Sequence, residues 1–88
     1  MTPGAPGAIR VTVRLFASYA EAAGREALDL ALAPGATAAD ALAAVRREPW
    51  AARVPPSPAV AVNRRYAAGD VALADGDEVA IIPPVAGG

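Results

Sequence analysis

Apolar and polar residues alternate with period two in three stretches of the chain and recur at helical spacing in one. Residues 9–16 place Ile9, Val11, Val13 and Leu15 on one face and Arg10, Thr12, Arg14 and Phe16 on the other, the pattern of a strand with one buried face. Residues 26–32 repeat it with Leu28, Leu30 and Leu32 against Ala27, Asp29 and Ala31, which predicts a second strand antiparallel to the first. Between them, residues 17–24 read as a short helical turn stopped by Gly24. Pro34-Gly35 ends the second strand. Thr37-Ala-Ala-Asp40 has the form of a capping box with Asp in the place of Glu, and Ala38, Ala41, Leu42 and Val45 follow at helical spacing. This predicts the main helix over 38–48, with Arg46 and Arg47 suiting its dipole and Pro49 either ending it or starting the next turn. Trp50 is expected to cover the open end of the core.

The second half is more broken. Pro55, Pro56 and Pro58 predict a loop over 53–58. Residues 59–63 predict a short strand with Val60 and Val62 inward, and Arg64-Arg65-Tyr66 either continues it or turns. Gly69-Asp70 and Asp75-Gly76-Asp77 are turn signals, with Leu73 as a core plug between them. Glu78-Val-Ala-Ile-Ile82 is the last strand, and Pro83-Pro84 ends regular pairing. One helix crossing over a sheet, with the last strand parallel to the first, predicts an α+β fold of the ubiquitin-like β-grasp type with the helix on one face. The expected divisions are a disordered leader at 1–8, the domain at 9–82 and an extended tail at 83–88.

Composition narrows the chemistry. The 88 residues suit one small domain, and 25 of them are alanine, about half of the 55% apolar fraction. The larger apolar side chains suffice for one core, without a buried active site beside it. Net charge is −1, so no strong field points to nucleic acid or an anionic membrane. All eight cations are arginine, and His, Lys and Cys are missing. That removes the usual general base, the Schiff-base amine, the thiolate nucleophile and thiolate metal sites. The five hydroxyl side chains of Ser and Thr have no His or Lys to activate them. A self-contained catalyst is not expected. No signal peptide or membrane span is read, so a cytoplasmic location is expected.

The informative stretch is Ile81-Ile-Pro-Pro-Val-Ala-Gly-Gly88. Pro83 and Pro84 fix φ and lack amide donors, so the tail should leave the sheet stiffly. Val85, Ala86, Gly87 and Gly88 then carry less and less side chain. Six extended residues reach about 20 Å, enough to thread a terminal carboxylate into a narrow channel. Terminal Gly-Gly alone is weak evidence and is as readily an inert, fraying end. Its position directly after a last strand, with no other reactive group in the chain, gives it weight. A carboxylate at neutral pH is ionised and becomes an electrophile only after conversion to an acyl adenylate or similar. The chain has no phosphate loop, so ATP and a second enzyme are required.

Asp75-Gly-Asp-Glu-Val-Ala80 and Pro83-Pro-Val-Ala-Gly-Gly88, with Leu73, resemble the terminal motif of the small subunits of molybdopterin synthase, the MoaD family of sulfur carriers. Ile81 and Ile82 stand where aromatics are common in that pattern. Val13-Arg-Leu-Phe-Ala17, the helix start at Thr37 and Ala61-Val-Asn63 extend the similarity over about residues 9–88. The resemblance implies that an E1-like adenylyltransferase (MoeB-like) adenylates Gly88 with ATP and that a thiocarboxylate forms there. The loaded tail would enter the large subunit (MoaE-like) and give its sulfur to precursor Z, cyclic pyranopterin monophosphate, in a heterotetramer. Catalytic side chains would lie on the large subunit, and this chain would bind no cofactor itself. Phe16, Ile82, Pro83, Pro84 and Val85 would form the centre of the partner interface, with Ala86 and Gly87 in the channel. Phe16 has a second reading, as an edge of the core reached by a bend. Sulfur carriers of the thiazole-forming ThiS type or the tRNA-thiolation type, a ubiquitin-like modifier joined to lysines, and a plain interaction domain are the alternatives.

Overall fold

The computed structural model describes residues 7–84. The first strand, β1 (Ile9–Leu15), leads through α1 (Ala17–Ala23) to β2 (Ala27–Leu32). Then come α2 (Ala38–Val45), a 3-10 helix (Pro49–Arg53), β3 (Ala59–Val62), β4 (Arg65–Tyr66) and β5 (Glu78–Ile82). The five strands form one sheet in the order β2-β1-β5-β3-β4. Strand β1 is antiparallel to β2 and parallel to β5, as the alternation and the crossover rule predicted. This is the α+β, ubiquitin-like β-grasp arrangement. No helix among the described residues is long and apolar enough to cross a membrane.

Period two decides which face is filled. Val11, Val13, Leu15, Val60, Val79 and Ile81 point to the side covered by the helices. There they meet Ala38, Ala41 and Val45 of α2, Tyr19 of α1, and Ala51 and Val54 of the 3-10 segment. Leu73 is buried as expected, and Trp50 packs partly buried against the same cluster. The short turn read at 17–24 is a full helix. Gly24 closes it in the left-handed region at φ 74°, with its N–H and that of Arg25 both donating to the Ala20 carbonyl.

Helix α2 starts as its sequence dictates. The Thr37 N–H donates to Asp40 Oδ2 at 2.8 Å, and the Asp40 N–H returns to Thr37 Oγ1 at 3.3 Å. The next two free N–H groups, of Ala38 and Ala39, donate to the carbonyls of Val71 and Gly69. The helix start is therefore satisfied by the chain itself. A Cβ on Gly69 would stand 3.3 Å from Ala39 Cβ, which accounts for glycine at that approach.

Several boundaries differ from expectation. The main helix ends at Val45 rather than 48, because Pro49 forces Glu48 into an extended conformation and the preceding turn tightens to i→i−3 bonds. Arg46 does not merely face the helix end: its guanidinium donates to the carbonyls of Val54 and Pro55 and ties down the proline-rich loop. Pro49 starts a new turn, the second of its two readings: residues 49–53 form the 3-10 helix, and the loop expected over 53–58 follows it. Strand β3 ends at Val62, and the following residues turn back rather than continue it. Residues 1–6 of the expected leader and Val85–Gly88 of the expected tail lie outside the described residues.

Candidate functional site

The helices cover one face of the sheet; the other is bare. Its composition follows from the polar half of each alternation: Thr12 and Arg14 on β1, Glu78, Ala80 and Ile82 on β5, Ala61 on β3, Tyr66 on β4. Register turns these into rows across the sheet. Arg14 pairs with Ala80, Ala80 with Ala61, and Ala61 with Tyr66. Two alanines thus form a floor between two long side chains. In the next row, the Leu15–Ile81 pairing brings Phe16 beside Ile82. Arg14, Phe16, Arg64, Tyr66, Glu78 and Ile82 surround the Ala61–Ala80 floor and enclose a hollow of about 380 Å³. Ala61 and Ala80 are buried although no helix covers them, because these taller neighbours shade them.

The walls expose apolar surface. Phe16 is 43% exposed and Tyr66 79% exposed, both large hydrophobic groups at the surface. Phe16 leaves the strand in an extended conformation at the start of α1 and lies outside the buried core. The reading of Phe16 as a core edge reached by a bend is thereby corrected: the backbone stays extended at Phe16, and the residue lines the hollow on the bare face. Arg14 Nη1 lies 3.5 Å from Glu78 Oε2, an exposed pair of small energetic worth.

The rim beside Tyr66 is a two-residue hairpin loop. Val62 pairs with Arg65, leaving Asn63 and Arg64 between them at φ 50° and φ 73°. Positive φ at both positions is the type I′ geometry, which favours Asn-Gly. Asn63 suits it. Arg64 carries a Cβ into a left-handed conformation that costs roughly 1–2 kcal/mol. The loop is held from beneath. Asn63 Nδ2 donates to Asp77 Oδ1 at 2.9 Å, and its Oδ1 accepts from the Glu78 N–H at 2.9 Å. Asp77 Oδ2 in turn accepts from the Ala74 N–H at 2.8 Å. These bonds, the Ala74 amide first and Asn63 second, hold the Asp77 carboxyl below its ordinary pKa. Asp75 Oδ1 accepts from the Arg10 N–H at 2.9 Å. The aspartates of the Asp75-Gly-Asp-Glu motif therefore serve as architecture, fixing β1, β3 and β5 to one another.

Of the residues singled out from sequence, Phe16 and Ile82 share the hollow. Pro83, half-buried, and Pro84, exposed, follow Ile82 without lining it. Val85, Ala86, Gly87 and Gly88 lie outside the described residues. Arg64, Tyr66 and the Ala61–Ala80 floor were missed, and Arg14 was noted only as a neighbour of Phe16. Their signal was present in the alternation, but assembling it needs the register of β1, β5, β3 and β4 together. A hairpin loop without glycine hid the last of these strands.

No hydroxyl, amine or imidazole is set up at this face as a nucleophile or base. Among the described residues, no group of three or more acidic side chains is placed to hold a metal ion. What the face offers is an open hollow with exposed apolar walls flanked by arginines.

Known proteins share this design. The ThiS family profile matches residues 13–88. The molybdopterin synthase sulfur carrier subunit of Aedes aegypti is 35% identical over 88 residues, covering 91% of this chain and 90% of that protein. The small archaeal modifier protein 1 of Haloferax volcanii superposes with a TM-score of 0.81 at 34% identity, covering 88% of this chain and 99% of its own. A molybdopterin converting factor subunit 1 from Pyrococcus furiosus gives a TM-score of 0.76 at 28% identity, covering 88% and 99%. With the profile spanning most of the strands, both helices and the terminal motif, the chain belongs to the ThiS family and is a ubiquitin-like sulfur carrier of the ThiS/MoaD type.

Proposed function

We propose that this chain is the sulfur-carrier small subunit of molybdopterin synthase. The observation that carries the reading is the Pro-Pro-Val-Ala-Gly-Gly segment, set directly after the central strand β5, in a chain 35% identical to a molybdopterin synthase sulfur carrier subunit. The Gly88 carboxylate attacks the α-phosphorus of ATP on an E1-like, MoeB-like adenylyltransferase, and pyrophosphate leaves. Hydrosulfide, as the sulfide-level donor, then attacks the acyl carbon, expels AMP and loses its proton, which leaves a thiocarboxylate. The tail enters a MoaE-like large subunit, where the thiocarboxylate sulfur bonds to precursor Z and water cleaves the acyl C–S bond, leaving the sulfur on the substrate and regenerating the Gly88 carboxylate. Two such transfers supply the dithiolene of molybdopterin, in a heterotetramer of two small and two large subunits working in the cytoplasm.

The role of this chain is geometric. Pro83 and Pro84 stiffen the departure from β5, and Ala86 and Gly87 keep the reacting end slim. Phe16, Ile82, Pro83, Pro84 and Val85 form an apolar base that seats on the partner. Acid-base chemistry belongs to the partners, since this chain carries no His, Lys or Cys. Intact-mass measurement after incubation with ATP, sulfur donor and the cognate activating enzyme tests the reading. The expected product shows the gain of one sulfur-for-oxygen exchange, and addition of the large subunit and precursor Z removes it. Absence of any mass change would reject the carrier role.

The likeness to a small archaeal modifier protein supports a second reading, a protein modifier joined to target lysines through Gly88. Isopeptide-linked conjugates bearing the Gly88 carbonyl would identify it. The absence of Lys argues against chains of this protein on itself.

A further inference from the structure

The bare face carries one feature that its apolar contacts do not explain. At the second position of the type I′ loop, where glycine is favoured, the chain keeps an arginine at φ 73° beside the hollow. Arg64 is exposed, and among the described residues no carboxylate pairs with it; the nearby Glu78 is engaged by Arg14. Its position is firm, because Asn63 is braced to both Asp77 and the Glu78 amide. A strained residue persists when the surrounding structure over-determines it, and such positions gather at binding sites. A cation lacking a counter-ion, held on the rim of a small apolar hollow, is complementary to an anion flanked by apolar side chains.

We propose that Arg64 is a partner-selecting residue of this face. It takes a surface carboxylate of the large subunit while an apolar side chain of that subunit fills the trough over Ala61 and Ala80. This rests on the reading of the face as the large-subunit interface and adds to it a charged determinant outside the apolar base and the tail. Phe16, Tyr66 and Ile82 supply area and water exclusion. Arg64 supplies register and discrimination, since a partner without the carboxylate must bury this face against an uncompensated charge.

Strain provides an unusually clean test. Arg64→Gly restores the Asn-Gly pairing that the loop geometry favours, so its melting temperature should equal or exceed that of the parent. Its affinity for the purified cognate large subunit should nevertheless fall about tenfold, with a weaker salt dependence than the parent's. Arg64→Lys should recover part of the affinity and all of the salt dependence. A merely structural role would move stability and affinity in the same direction. Phe16→Ala, measured in parallel, separates the two claims. If Phe16→Ala binds normally, the face is not the interface and both fail. If Phe16→Ala weakens binding while Arg64→Gly binds and responds to salt like the parent, the role of Arg64 alone is overturned.

Discussion

The two faces of the sheet come from the same strands and obey different demands. On the helix side, Val11, Val13, Val79 and Ile81 are almost fully enclosed, and the residues opposite them on α2 are small, so that the helix lies close. On the bare side, the same strands present arginines, alanines and a glutamate, with aromatic groups at the margins. Neighbouring residues such as Ile81 and Ile82 are chemically identical and separated only by the pleat. One is 1% exposed in the core, and the other helps wall an open hollow. Burial side, not residue type, sets what each contributes: stability on one face, an exposed surface on the other.

The most severe test leaves both faces untouched. Deleting Gly88, or adding one residue after it, should abolish thiocarboxylate formation with the melting temperature unchanged, because the sheet and core are complete before the tail. Mass spectrometry and thermal unfolding on the same samples check it. Normal loading of an extended variant would refute the assignment of Gly88.

Next in size is the contrast between the two isoleucines. Ile81→Ala opens a cavity in the buried cluster beside its register partners Leu15 and Val60 and should cost about 2–5 kcal/mol, a large part of the stability of a small domain. Ile82→Ala should leave the unfolding midpoint nearly unchanged. Equal losses in denaturant titrations would show that the bare face contributes to the core after all.

Much of this division was legible beforehand. Strict alternation in 9–15 and 27–32 announced strands with one buried face, and Thr37 with Asp40 announced the start of α2. Legibility failed where tertiary contacts decide. Buried Ala51 and the buried C-cap Val54 hold a 3-10 helix at 49–53, where the sequence offered only a stop or a turn at Pro49. The Asn63–Arg64 loop is made by bonds from Asp77 and Glu78, more than ten residues away. The hollow itself exists only once four strands are aligned. Its arginines and alanines are unremarkable residues until the register sets them in a row. The family resemblance carried by the terminal motif was readable because the motif is contiguous in the chain, and the ThiS family profile matches it within residues 13–88.

Smaller again is the effect of Phe16→Ala. The ring is partly exposed and contributes little to the core, so the melting temperature should change slightly. Large-subunit affinity should fall by about 1–4 kcal/mol, the range of an aromatic anchor near an interface centre. Calorimetry and thermal unfolding report the two quantities separately. A large loss of stability with unchanged affinity would return Phe16 to the core.

The smallest effect concerns the brace beneath the hairpin. Asp77 has its pKa lowered in the folded protein by the Ala74 amide and by Asn63, relative to about 3.9 when unfolded. A depressed folded-state pKa means that the unfolded chain binds the proton more readily. The contribution of Asp77 to stability is therefore fully present above the unfolded pKa and is lost as pH falls through the folded value. Asp77→Asn removes the ionised acceptor, so it should lower stability at neutral pH by the small contribution that the parent loses in acid, and flatten the acid limb of the stability curve below about pH 4. Because Asp77 holds Asn63, and Asn63 opens the loop that carries Arg64, the same substitution should loosen the bare face more than the core. Amide exchange of residues 62–66 should accelerate in the variant, with α2 unchanged. Parallel acid limbs for the parent and Asp77→Asn would remove Asp77 as their source. Unchanged exchange at 62–66 would show that the loop holds its shape without the brace.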